Sequence, residues 1–195
     1  MKVFTIGVYG WDEENFVQTI RDAAPDVFVD VRRRRGLRGR AYAWANSTRL
    51  QAMLADSGIP YVHRLDVAPS DATRHIVAKD ANSEGIGYRD RTSLSQEYLD
   101  AYGQEVLEGF DAAGFGASLG EGAESMMLFC VERVPAACHR SLLAERLAGD
   151  LGVEVMHILP PDPNGVRPDG GAPSPAVCLT PGGSVRHMID KIRAM

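Results

Sequence analysis

The chain has 195 residues, of which 45% are apolar and 24% charged. These proportions suit one soluble domain with a substantial core, and exclude a disordered or fibrous chain. Net charge is −5, so a broad nucleic-acid-coating surface is excluded, yet six of the nine residues from Arg32 to Arg40 are arginine. Positive charge gathered in one short loop of an acidic protein suits a specific anionic ligand.

The elements alternate along the chain. Val3 to Val8 reads as a strand. Asp12 is a helix cap followed by Glu13 and Glu14, which favour a first turn, and Phe16, Val17 and Ile20 give that helix an apolar face. Val27 to Val31 is a nearly unbroken apolar run, as in a buried parallel strand. After the arginine loop, Asn46 or Ser47 caps a helix whose inner face is Leu50, Met53 and Leu54, and Gly58 stops it. Pro60 to His63 is a third strand. Residues 64–92 lack clear periodicity and read as a long loop or lid. Ser93 or Ser95 then opens a helix running to Phe110, beyond which glycines break the pattern.

The most informative stretch follows. Met126 to Cys130 reads as a strand, Glu132 to Pro135 as a turn, and a helix over Ala136–Leu147 carries Cys138, His139 and Arg140 near its start. A helix N-terminus attracts anions and lowers the pKa of a thiol placed there. Val153 to Leu159 is the last strand. Residues 160–183 are rich in Pro, Gly and Asp and read as an irregular tail, with a short helix from Val185 to Met195. This pattern predicts a single three-layer, Rossmann-like α/β domain with a mostly parallel sheet over residues 1–159, and a C-terminal extension over 160–195.

In such a sheet, ligands bind at the carboxyl ends of the strands. That rule gathers Tyr9, Asp30, Arg32, His63, Cys130, Glu132, Cys138, His139 and Arg140 on one rim. Each has a structural alternative: His139 aligns with Leu143 and Leu147, Cys138 aligns with Leu142, and Glu132 is a natural partner for Arg140. The spacing of Cys130, Cys138 and His139 is not that of a zinc knuckle or ribbon, and the glycines form neither a dinucleotide fingerprint nor a phosphate-binding loop; no metal or cofactor is expected. Three cysteines argue against a disulfide framework, and no leader or membrane-spanning run is evident, so the expected location is the cytoplasm.

Four elements carry a resemblance: Thr5-Ile6-Gly7, Asp30-Val31-Arg32, Gly58-Ile59-Pro60-Tyr61-Val62-His63, and Cys130-Val131-Glu132 with Pro135-Ala136-Ala137-Cys138-His139-Arg140-Ser141-Leu142-Leu143-Ala144. Over roughly residues 3 to 158 the chain resembles the bacterial and archaeal family called domain of unknown function 488. It departs from that family's pattern at Val8-Tyr9-Gly10-Trp11 and has a richer arginine loop. Asp-Val-Arg at a strand end also looks like the opening of rhodanese domains, but with Cys138 expected inside a helix this likeness is an analogy only.

The resulting expectation is an enzyme acting on a phosphate-bearing small molecule, a nucleotide or a nucleic-acid end. Arg32 and Arg140, with Tyr9 and His63, hold the substrate, while Cys138 or His139 supplies the chemistry and Asp30 or Glu132 orients it. The alternatives are a non-catalytic nucleotide or nucleic-acid binding module, or a thiol-dependent enzyme of rhodanese or phosphatase type. No membrane partner is expected, and the sequence leaves the oligomeric state open.

Overall fold

The computed structural model describes residues 1–85, 87, 89–161 and, as backbone, the strand at 176–180. Five parallel strands form the body of the sheet: β1 Lys2–Ile6, β2 Val27–Asp30, β3 Tyr61–His63, β4 Ser125–Phe129 and β5 Glu154–Leu159. A sixth, β6 Ala176–Thr180, pairs antiparallel with β5, giving the order β3-β2-β4-β1-β5-β6. The helices are α1 Glu13–Ala23, α2 Ser47–Asp56, α3 Asp71–Glu84, α4 Gln96–Tyr102, α5 Ala112–Ala117 and α6 His139–Leu151.

Alternation within each strand sorts the core into two faces. Phe4, Ile6, Phe28, Met127 and Phe129 pack against Phe16 and Ile20 of α1 and Leu50 and Leu54 of α2. Val3, Val27, Val29, Met126 and Leu128 pack against Phe115 of α5 and Leu143, Ala144 and Leu147 of α6. A third cluster places Val77 of α3 and Tyr98 and Tyr102 of α4 over Leu142 of α6. Phe28, Phe129 and Leu143 are fully buried, and truncating any one to alanine removes about 2–5 kcal/mol.

Local chemistry explains the helix starts. Asp12 accepts from the backbone N–H of Asn15 at 2.8 Å, and Ser95 and Asp111 cap α4 and α5 in the same way. Asn46, not Ser47, occupies the cap position of α2.

Four expectations are corrected. The stretch 64–92 contains a 3₁₀ turn at Leu65–Val67 and the helix α3, whose buried residues among the described ones are Thr73 and Val77. The helix starting at Ser95 gives way at Gly103 to a π turn over Gly103–Leu107, and α5 forms in spite of Gly114 and Gly116. Cys138 is not inside a helix: Pro135–Ala137 make a separate 3₁₀ turn, and Cys138 is the extended residue that caps α6. Finally, β6 lies within the stretch read as an irregular tail. The helix expected over 185–195 falls outside the described residues. Among the described residues no helix is long and apolar enough to cross a membrane.

One topological feature positions the site. β1 and β4 are neighbours, but the chain leaves β1 for α1 on one face and β4 for α6 on the other. The two connections diverge and leave a crevice at the carboxyl ends of these strands, where open α/β sheets bind their ligands.

Candidate functional site

The crevice is held open by the loop from Cys130 to Cys138. Val8 and Tyr9 both donate their N–H to the carbonyl of Val131 at 3.0 Å. Gly7 lies so close to the carbonyl of Glu132 that a Cβ there would overlap it, which is why β1 ends on glycine. The guanidinium of Arg140 completes the loop. Its Nη1 donates to the carbonyl of Glu132 at 2.7 Å and its Nη2 to that of Arg133 at 3.1 Å.

Arg140 is fully buried, and among the described residues it has no carboxylate within ion-pair distance. A buried guanidinium requires a counter-charge nearby. The Cys138 sulfur supplies it. Burial pushes the Cys138 thiol up, but a hydrogen bond from Cys130, the charge of Arg140 and the imidazole of His139 together outweigh burial and hold it well below its ordinary value. Cys130 moves the other way, pushed well up by burial, by its hydrogen bond to Cys138 and by the charges of Cys138 and Glu132. Of the two, Cys130 therefore holds its proton more tightly and Cys138 is the one that gives it up first.

His139 sits beside both. Its Nε2 donates to the carbonyl of Val31 at 3.0 Å, which fixes the ring. Burial pulls its pKa down, and the hydrogen bond and charge of Cys138, the Val31 carbonyl and Glu132 more than restore it, so the net shift is upward. The neighbouring charges of Cys138 and His139 thus shift the thiol toward thiolate and the ring toward imidazolium. Sγ of Cys130, Sγ of Cys138 and a nitrogen of His139 all lie within 4.8 Å of one another, a donor set that zinc also accepts. Sγ of Cys130 lies 3.9 and 4.0 Å from the two ring nitrogens.

Glu132 is the acid of the group. Its Oε2 is 3.6 Å from Sγ of Cys130, and its Oε1 accepts from Nη2 of Arg91 at 3.2 Å. Burial, then the charge and hydrogen bonding of Cys138, raise its pKa to about 7 in spite of His139 and Arg91. A carboxyl titrating there gives and takes protons at neutral pH.

These groups form the floor of a cleft of about 850 Å³. Its wall is cationic, with Arg33, Arg34 and Arg74 sharing one carboxylate, Asp71, at 3.6, 3.3 and 3.0 Å. The exposed Arg38 lines the same wall and has no ion pair among the described residues. Tyr9 stands at the rim with Arg89 over its ring at 5.2 Å; burial and the charge of Glu132 keep its phenol protonated.

The structure brings Tyr9, Arg32, Cys130, Glu132, Cys138 and His139 to this one cleft and leaves Asp30, His63 and Arg140 behind it. Arg32 reaches the lining, but its guanidinium is committed to Asp30 through Nε at 2.9 Å and Nη2 at 2.7 Å, and to the carbonyl of Ala45. Asp30 also accepts from the Tyr61 hydroxyl at 2.7 Å, and His63 Nε2 donates to the Arg32 carbonyl at 2.9 Å. Asp30, Arg32 and His63 therefore brace the end of β2, and the arginines whose charge is left to the cleft are their neighbours Arg33, Arg34 and Arg38. Sequence reasoning missed Arg74, Arg89 and Arg91, which lie in the stretch without visible periodicity. Only their charge marked them.

Residues 12–147 match the family described as Domain of unknown function DUF488, a span that takes in the Asp30–Arg32 brace and the cluster from Cys130 to Arg140 but not Tyr9. No curated protein and no solved structure matches the chain. With a match over more than half its length, joining the second strand's brace to the cysteine-bearing loop, the chain belongs to the DUF488 family.

Proposed function

We propose that the chain is a thiol-dependent enzyme acting on a phosphate-bearing small molecule or nucleotide. The observation that carries this reading is the placement of Cys138: on the floor of an arginine-walled cleft, beside the fixed imidazole of His139. A thiolate stabilised by fixed cations in a cleft is the arrangement of a nucleophile. The Asp71 carboxylate offsets one of the charges of Arg33, Arg34 and Arg74, leaving an excess that suits a phosphate dianion.

The chemistry then follows from two residues. The Cys138 thiolate attacks the electrophilic centre of the substrate and forms a bond from sulfur, while the leaving group takes its proton from the Glu132 carboxyl. Water next attacks the cysteinyl intermediate and gives its proton to the Glu132 carboxylate, and the product departs with Cys138 again a thiolate. His139 stays protonated and orients the sulfur. Tyr9 offers a hydroxyl donor at the rim.

Two measurements test the reading. Inorganic phosphate should slow alkylation of Cys138 in the native protein, and simultaneous replacement of Arg33, Arg34 and Arg74 by Gln should remove that protection. Across a panel of phosphate monoesters and nucleotides, acid-quenched protein should carry a substrate fragment on Cys138, and Cys138→Ser should abolish turnover. A Cys138→Ser variant that turns over as fast as the unaltered chain sinks the thiolate mechanism. Salt-sensitive nucleotide binding without turnover would identify a binding module instead.

A further inference from the structure

We propose that Cys130 and Cys138 form an oxidation site, in which a hydroperoxide oxidises Cys138 and Cys130 closes a disulfide across the floor of the cleft. This inference rests on the same reading of Cys138 as the thiolate of the site, and assigns its oxidation and its second sulfur.

Three features of the site support it. Both cysteines are free and buried, both line the cleft, and their sulfurs lie within 4.8 Å of each other. They belong to separate elements, Cys130 just beyond β4 and Cys138 at the cap of α6, with a short connecting loop between them. Closing so short a loop costs little chain entropy. The residues around the pair also fit the two chemical steps. Oxidation by hydroperoxide requires a thiolate, which the buried Arg140 and His139 favour at Cys138. Resolution requires the second thiol to lose its proton as it attacks, and Oε2 of Glu132 lies 3.6 Å from Sγ of Cys130 to accept it.

The steps balance. The Cys138 thiolate attacks the distal oxygen of the hydroperoxide, its O–O bond breaks, and the products are a sulfenic acid on Cys138 and an alkoxide that takes a proton to become the alcohol. Cys130 then transfers its proton to Glu132, and the resulting thiolate attacks Sγ of Cys138. The S–O bond breaks, and hydroxide leaves as water with the proton from Glu132. In sum, two thiols and one hydroperoxide give one disulfide, one alcohol and one water. A small-molecule dithiol reverses the change by exchange.

In the oxidised form the nucleophile is consumed, so the enzyme is inactive until reduced. His139 loses the thiolate that holds its proton, and Arg140 loses its counter-charge.

The test uses the full chain in a Cys178→Ser background, treated with one equivalent of hydrogen peroxide and read by intact mass and peptide mapping. The expected product has lost two hydrogens, contains a Cys130–Cys138 cross-linked peptide, and recovers both thiols on treatment with dithiothreitol. In Cys130→Ser, or Cys130→Ala if the serine variant folds poorly, Cys138 should pass instead to the sulfinic acid, which dithiothreitol does not reverse. Two results overturn the proposal: both thiols still free after peroxide, or Cys138 driven to sulfinic acid in the chain that retains Cys130. The readout needs no substrate, so an inactive substrate panel leaves it standing, and a failed disulfide leaves the nucleophile reading standing.

Discussion

The imidazole Nε2 of His139 lies 3.0 Å from the carbonyl oxygen of Val31, so the end of the second strand fixes the ring that neighbours the Cys138 sulfur. The fixed ring holds its proton against burial because the adjacent thiolate favours the charged form. The two charges support each other, and removing one must shift the other. Replacing His139 by Gln leaves a neutral side chain beside Cys138, so the thiol pKa moves up. One pKa unit is a tenfold change in thiolate below the midpoint, so on the acid limb of its pH profile alkylation of Cys138 should slow by about tenfold for each unit of upward shift. Rates of iodoacetamide modification from pH 5 to 10, followed by mass, check this. An unmoved midpoint would show that Arg140 and Cys130 set the thiolate without the imidazole.

A second prediction concerns stability against pH, where two buried groups act in opposite directions. Burial and the charge of Cys138 raise Glu132 from 4.5 to about 7, so the folded state binds its proton more tightly than the unfolded chain does. The resulting stabilisation is complete below pH 4.5 and lost as pH rises through 7. Burial and the charge of Arg140 lower His157 from 6.5 to about 4, its Nδ1 lying 2.7 Å from the Thr5 hydroxyl. Here the unfolded chain binds the proton more tightly, so stability is complete above pH 6.5 and lost as pH falls through 4. Each shift is worth about 3 kcal/mol, and between pH 4.5 and 6.5 the two slopes cancel. Relative to the unaltered chain, Glu132→Gln should therefore gain stability as pH rises through that window and His157→Asn should lose it. Urea unfolding at pH 4.5, 5.5 and 6.5 measures both differences. Parallel curves for all three proteins would disprove the assignment.

The sheet was legible because its strands are short apolar runs set between capped helices. Val27 to Asp30 and Met126 to Phe129 are buried on both faces, and such runs leave few alternatives. The convergence of the rim residues was legible for a related reason: parallel strands end on one side, which brings Tyr9, beyond β1, to the same cleft as the segment from Cys130 to His139 that follows β4. What stayed hidden depends on packing. Arg32 and Arg140 look like ligands in sequence because a buried arginine is costly, but Asp30 meets that cost for the first and two carbonyls with a neighbouring thiolate meet it for the second. Helix α3 escaped because it rests on one narrow strip around Val77, too little for a visible period. Strand β6 escaped because it is set in a Pro-, Gly- and Asp-rich stretch that reads as irregular, and its pairing with β5 is a tertiary event.

The last prediction separates bracing from binding at the end of β2. Asp30 and Arg32 are both buried, and their fork of two hydrogen bonds, at 2.9 and 2.7 Å, is flanked by Tyr61 on the acid and Phe129 under the guanidinium at 4.5 Å. Removing one partner of such a pair strands the other as an uncompensated buried charge. Arg32→Met should therefore cost about 3–5 kcal/mol, read as a fall in the urea midpoint. Removing the charge of the partner as well, in Arg32→Met with Asp30→Asn, should recover a large part of that loss, because the amide still accepts from Tyr61 and no bare carboxylate remains. Arg38→Gln, at an exposed position on the cleft wall, should leave stability within about 0.5 kcal/mol while weakening phosphate protection of Cys138. If Arg32→Met folds with unaltered stability and loses that protection, Arg32 is a ligand of the anion after all, and the division of this loop into a buried brace and an exposed cationic wall is wrong.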